Sequence, residues 1–139
     1  MRLSRLLPAF ALLLGVLAMP GVPSAAEYGT AAEAAALLDR AIVEAKADFA
    51  AAIVKFNDPA GAFRDRDLYV FCASETDGKL IAHPALVGTD LRELKDKNGK
   101  PFGSEMFAAA REGTISEVTY MWPRPGGTEP VDKVSRITR

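Results

Sequence analysis

One histidine and one cysteine in 139 residues leave this chain with little material for chemistry. His83 is the sole imidazole and Cys72 the sole thiol, so no H-x-x-x-H or C-x-x-C spacing exists to seed a metal centre. No Gly-x-Ser-x-Gly elbow accompanies His83, which removes the usual support for a serine nucleophile. The doubled glycine Gly126-Gly127 stands among prolines and lacks the Lys-Ser/Thr and helix of a phosphate loop. Asp90, Glu93 and Asp96 alternate with Arg92, Lys95 and Lys97, the pattern of a solvated loop rather than of paired catalytic carboxylates. The expectation is a protein that is not an enzyme, with no catalytic residue, no metal and no cofactor. A basic excess is missing too: 17 Lys and Arg stand against 18 Asp and Glu. Nucleic-acid surfaces need clustered positive charge, so no nucleic-acid partner is expected. One thiol makes no internal disulfide, and its place on an apolar strand favours burial as a small hydrophobe.

Long hydrophobic runs are scarce as well, and the exception is informative. Leu6 to Met19 is apolar, follows Arg2 and Arg5, and is broken by Pro20-Gly21. Ser24-Ala25-Ala26 then offers small residues at a cleavage site before Glu27. The run falls short of the ~20 apolar residues of a spanning helix. It therefore predicts a secretory signal peptide over residues 1–26 and a single small domain over residues 27–139. Cleavage removes Arg2 and Arg5, two of the 17 basic residues, and leaves a mature charge near −3 against the 18 acids. The expected location is periplasmic or secreted.

What the mature chain does contain is a regular order of elements. Thr30-Ala31-Ala32-Glu33 fits a capping box. Leu38, Ile42, Ala45, Phe49, Ile53 and Phe56 then recur every three or four residues, predicting one long amphipathic helix ended by Asn57-Asp58-Pro59. Gly61 to Arg66 reads as a polar link with Phe63 in the core. Leu68 to Ala73 and Lys79 to His83 read as a hairpin turned by Asp77-Gly78. Leu86 to Phe102, with Gly88, Asn98-Gly99 and Pro101, is a long loop of the kind that often binds. A short helix around Ser104–Phe107 is expected to close at Gly113, followed by strands over 114–122 and 131–139. The sum is an α+β domain with an antiparallel sheet and a long N-terminal helix.

Aromatic residues alternate on these strands at Tyr69, Phe71, Tyr120 and Trp122, with His83, Lys133 and Arg136 nearby in the pattern. Apolar walls with a few orienting donors suit a small concave binding site, and a cation or imidazole would receive a small carboxylate. Each residue has a plainer reading. Tyr120 and Trp122 serve equally as core, His83 before Pro84 as a strand-end cap, and Lys133 and Arg136 as a solvated strand face.

The runs YVF, DGKLIAHP, DKNGKPF and YMWPRP, in that order and spacing, resemble the single Cache domains of bacterial extracytoplasmic sensors. The resemblance covers about Ala32 to Arg139. It implies a PAS-like antiparallel sheet braced by the N-terminal helix, which can also serve as a homodimer surface. It further implies binding of a short organic acid such as acetate, propionate or pyruvate. By the resemblance Tyr69, Phe71, His83, Met106, Tyr120, Trp122 and Lys133 match pocket-lining segments. A membrane sensor or transporter would be the partner. Such domains usually carry one further C-terminal strand, so a truncated product, or an edge covered by another segment or protomer, is expected. A tyrosine usually follows the serine of the VDKVSRITR segment, where this chain has Arg136. The alternative reading is a structural or interaction module of a signalling or transport complex, its pocket filled by its own side chains.

Overall fold

The computed structural model describes residues 26–139, so the expected signal peptide up to Ala25 lies outside the described residues. Helix α1 (Ala31–Ala47) starts as its capping box dictates: the Thr30 side chain accepts from the Glu33 amide, and the Glu33 carboxylate accepts from the Thr30 amide. The single long helix of the sequence reading is two helices. Asp48 adopts extended backbone, its amide closes α1 on Glu44, and its carboxylate accepts from the Ala51 amide to open α2 (Phe49–Asn57). One aspartate thus ends one helix and starts the next. A Lys55–Glu44 ion pair spans the joint. The redirection also alters the apolar stripe: Phe56 is 1% exposed, whereas Phe49 is 55% exposed. Helix α2 ends where Asp58-Pro59 predicts.

The strands form three antiparallel pairs. The expected polar link contains β1 (Arg64–Asp65), which turns at Arg66-Asp67 to pair with β2 (Leu68–Tyr69). The expected first hairpin strand is therefore divided, because its beginning pairs backwards. Its end, β3 (Cys72–Ala73), pairs with β4 (Leu80–Ala82) across a bulge, and Gly78 at φ +74° makes the turn. The loop that follows covers the other edge of β4, through Leu80 N–H to Thr89 O at 2.8 Å and Gly88 N–H to Leu80 O at 2.7 Å. A 3-10 turn (Leu91–Glu93) leads to α3 (Phe102–Ala109), which closes at Ala110 rather than at Gly113. Gly113, at φ +67°, shapes the turn between Arg111 and Thr114 instead. Strands β5 (Ser116–Pro123) and β6 (Pro130–Ile137) form a full eight-residue hairpin.

Asp96 corrects the reading of a solvated loop. It is 8% exposed and accepts from the amides of Asn98 (2.8 Å), Lys100 (3.0 Å) and Met121 (3.1 Å), fastening the loop to β5. Burial works against its charge, yet these amides hold its carboxyl below the usual range.

Two apolar clusters result. Leu37, Ala41, Ala52, Phe56, Phe63, Val70 and Ala82 pack the helices onto the hairpin, with Phe63 placed as expected. Leu80, Leu91, Phe102, Met106, Val118, Tyr120 and Ile137 pack α3 and the loop onto β5 and β6. Phe56 meets Phe63 edge-on at 4.7 Å and is nearly sealed from solvent. Phe56→Ala is expected to lower unfolding free energy by about 3–5 kcal/mol in denaturant melts, the range for emptying a buried aromatic site.

Candidate functional site

Tyr69 is the hub of the candidate residues. As β2 ends, its ring meets His83 edge-on at 5.2 Å, while the Lys133 amine from β6 lies over the ring, 4.8 Å from its centroid. The same amine stands 3.5 Å from the Tyr69 hydroxyl and 3.4 Å from the Pro123 carbonyl. Burial, with a smaller effect from Tyr120, pushes the Tyr69 phenol up, so it stays protonated at any physiological pH.

Six of the seven predicted residues come together. Tyr69, Phe71, His83, Met106, Tyr120 and Trp122 line one cavity of about 20 Å³, joined by Phe102 and leucines of the loop. That space admits about one water molecule. Lys133 lies outside its wall and lines a neighbouring cleft of about 1080 Å³, which shares Tyr69, Phe71, Met106 and Tyr120. His83 and Trp122 do not reach the cleft. The predicted set is thus two adjoining sites with Tyr69 between them.

His83 keeps both of its sequence readings. Its Nδ1 accepts from the amides of Ala85 (3.0 Å) and Leu86 (3.1 Å), capping the turn after β4. Its ring also walls the aromatic cavity, 6.5 Å from Phe71. Burial, then the charges of Lys133 and Arg64, lower its pKa to about 4. At neutral pH the ring is uncharged with its proton on Nε2, so it offers a donor and no charge.

Lys133 carries the charge. It is half-buried, burial lowers its pKa, and no carboxylate lies within ion-pair distance of it among the described residues. Arg136 is committed to Glu117, and Arg124 to Asp67 at 3.4 Å and to the Tyr28 ring at 3.8 Å. Tyr120 and Trp122 are core as well as wall. Tyr120 stacks on Phe102 at 4.2 Å and shares a buried hydrogen bond of 2.8 Å with Ser135, while Trp122 meets Phe102 at 5.2 Å. Sequence reasoning missed Phe102 and Ser135 as parts of the site. Phe102 ends the DKNGKPF run, and Ser135 sits on β6 directly two residues from Lys133, so both had a positional signal. Cys72 is partly buried beside the cleft, and burial pushes its thiol up to about 11.

Residues 33–138 match the family described as single Cache domain 2. The chain belongs to that family. Over 76 residues this Cache domain is 41% identical to the methyl-accepting chemotaxis protein McpP of Pseudomonas putida, an alignment covering 52% of this chain and 14% of that protein. The chain therefore spans a small part of its curated relative. A solved structure described as the periplasmic sensor domain of a chemotaxis protein superposes with a TM-score of 0.55 at 27% identity, covering 78% of this chain and 79% of that one. The fold is that of a periplasmic sensor domain, and the family is one of sensors rather than enzymes. An extracytoplasmic location fits, and among the described residues no helix is long and apolar enough to cross a membrane.

Between pH 6.5 and about 4 the unfolded chain binds a proton on His83 that the folded domain binds more weakly. The stability due to neutral His83 is full above pH 6.5 and is lost as pH falls toward 4. His83→Gln is expected to flatten the loss of thermal stability across that window, measured as Tm against pH.

Proposed function

We propose that this Cache domain is an exported sensor module that binds a short organic acid in the periplasm and presents its ligand state to a membrane sensor or transporter. The observation that carries the reading is the Lys133 amine, half-buried against Tyr69 with no carboxylate in ion-pair distance, the charge of Asp67 reaching it only from farther off and being shared with Arg124. A half-buried cation in that setting is stabilised by an anion, and surrounding apolar groups strengthen the contact by excluding water. The 20 Å³ aromatic cavity is too small for even a two-carbon acid, so the carboxylate sits on the cleft side of Tyr69. There Lys133 takes its charge, the Tyr69 hydroxyl donates a hydrogen bond, and Met106 and Phe71 line its apolar end. The basic start and apolar run at residues 2–19 and the likeness to a chemotaxis protein support export and signalling.

A homodimer through the N-terminal helices is supported by Val43 and Val54, 67% and 72% exposed, and by Phe49. The same residues favour the second reading, an interaction module without a ligand, whose aromatic cavity is filled by its own side chains.

Thermal unfolding with a panel of two- to four-carbon carboxylates at millimolar concentration tests the proposal. A ligand at 100 times its Kd stabilises the fold by about 2.7 kcal/mol, a rise of several degrees. Lys133→Met is expected to melt cooperatively and to weaken that acid about 10- to 150-fold, the loss of one charge-assisted hydrogen bond. A cooperative melt that no acid moves would support the interaction module.

A further inference from the structure

The segment before α1 is held by a two-residue turn. Arg66 and Asp67 join β1 to β2, and Arg66 occupies the left-handed region at φ +56°, uncommon for a residue with a side chain. Its guanidinium donates to the carbonyls of Tyr28 (2.9 Å) and Ala26 (3.3 Å) and pairs with Glu33 in the first turn of α1 (2.7 Å). Asp67 grips the same segment from the amide side, its Oδ1 accepting from the Gly29 N–H at 2.7 Å. Gly29 lies flush on β2, where a Cβ would stand 2.2 Å from Leu68 Cγ. Residues 26–30 thus form a strap seated on the turn, with α1 starting at its end.

The strap also touches the surroundings of Lys133. Arg124 lies 3.8 Å over the Tyr28 ring and donates to Asp67 Oδ2 at 3.4 Å. Two residues beyond Asp67, Tyr69 carries the Lys133 amine over its ring, and that amine reaches the Pro123 carbonyl beside Arg124. Asp67 attracts the Lys133 charge and Arg124 repels it. One carboxylate therefore faces two cations. Its contact with Arg124 is longer than the roughly 2.7–2.9 Å of a charge-assisted hydrogen bond, so the pair has room to close. Neutralising Lys133 removes the pull on Asp67 and the push on Arg124 together. A carboxylate seated on Lys133 repels Asp67 as well. Both changes favour a shorter Asp67–Arg124 contact, and Gly29 and Tyr28 are attached to its two members.

We propose that Asp67 is a positioning residue that couples Lys133 to the strap, so that filling the Lys133 site clamps residues 28–30 onto the turn and fixes the start of α1. The acid as the natural trigger rests on the acid-binding reading, whereas the coupling itself is a property of the free protein. Linkage makes it reciprocal: a clamped strap favours the acid and a loose one disfavours it.

Hydrogen exchange of the Gly29 amide, read by NMR on the purified protein, tests the coupling. The Ala51 amide, capped by Asp48 on α2, is the remote reference. With no acid present, Lys133→Met is expected to slow Gly29 exchange relative to Ala51 by about fivefold or more, the lower end of couplings between sites. In Asp67→Asn the Gly29 amide should exchange faster, and adding Lys133→Met should no longer change it. Arg124→Met keeps the Gly29–Asp67 bond and gives a second cycle if Asp67→Asn does not fold; there the effect of Lys133→Met should shrink. Acetate and propionate at millimolar concentration form the other arm. An acid that raises Tm should slow Gly29 exchange in the wild type and leave it unchanged in Asp67→Asn. Gly29 exchange that Lys133→Met leaves unchanged or speeds, or slows equally in the Asp67→Asn or Arg124→Met background, overturns the coupling. An acid that raises Tm without slowing Gly29 overturns it too and spares the acid-binding reading. Slowing by Lys133→Met with no Tm response to either acid supports the coupling and counts against the acid alone.

Discussion

The two halves of this domain meet where the amine of Lys133 lies over Tyr69, and the rest of the arrangement turns on that contact. Strand β6 shares no ladder with β2 or β3, so side chains rather than backbone bonds span the gap between them. Arg124 with Asp67 and Arg139 with Glu75 stand at either end of the same line. These outer pairs are partly exposed and contribute little to stability. The central one differs because Lys133 faces a phenol and a carbonyl in place of an acid. It gains some cation–π attraction there, which does not fully replace the water it has lost.

In the proposed reading, that partly buried charge is the group that receives the ligand. A group that burial holds below its ordinary proton affinity responds strongly to an arriving anion, whereas one already paired does not. The surrounding charges fit this division of labour. Arg136 and Arg124 are occupied by Glu117 and Asp67, and His83 is kept neutral with its Nδ1 spent on two backbone amides. The Tyr69 ring touches both His83 and the amine, and so stands between Lys133 and the aromatic cavity. A ligand that moves Tyr69 therefore acts on β2, on the turn after β4 and on β6 together.

Much of the fold was legible because local signals act over a few residues. The capping box at Thr30 and Glu33, the stop at Asp58-Pro59, the turn at Gly78 and the alternation through Val118, Tyr120 and Trp122 all place their elements correctly. The failures come from contacts between distant residues. Asp48 looks like one polar position on a helix face, yet its single carboxylate and amide cap two helices. Asp96 sits among lysines in sequence and among backbone amides in space. The division of β2 from β3 follows from the pairing of Arg64-Asp65 with Leu68-Tyr69, which no periodicity signals. Within the site, the aromatic members were legible as alternating strand residues. The separation of Lys133 from His83 was not, because it depends on the space left between β6 and the hairpin.

The central claim is that Lys133 is a partly desolvated cation awaiting a carboxylate. An NMR titration of the Lys133 amine, with its resonance assigned by comparison with Lys133→Met, tests this most directly. The free protein should show a pKa below the ordinary lysine range, and a binding short carboxylate should raise it toward that range as the charge gains its partner. An amine that titrates as an ordinary surface lysine, and that no short carboxylate shifts, would contradict the account.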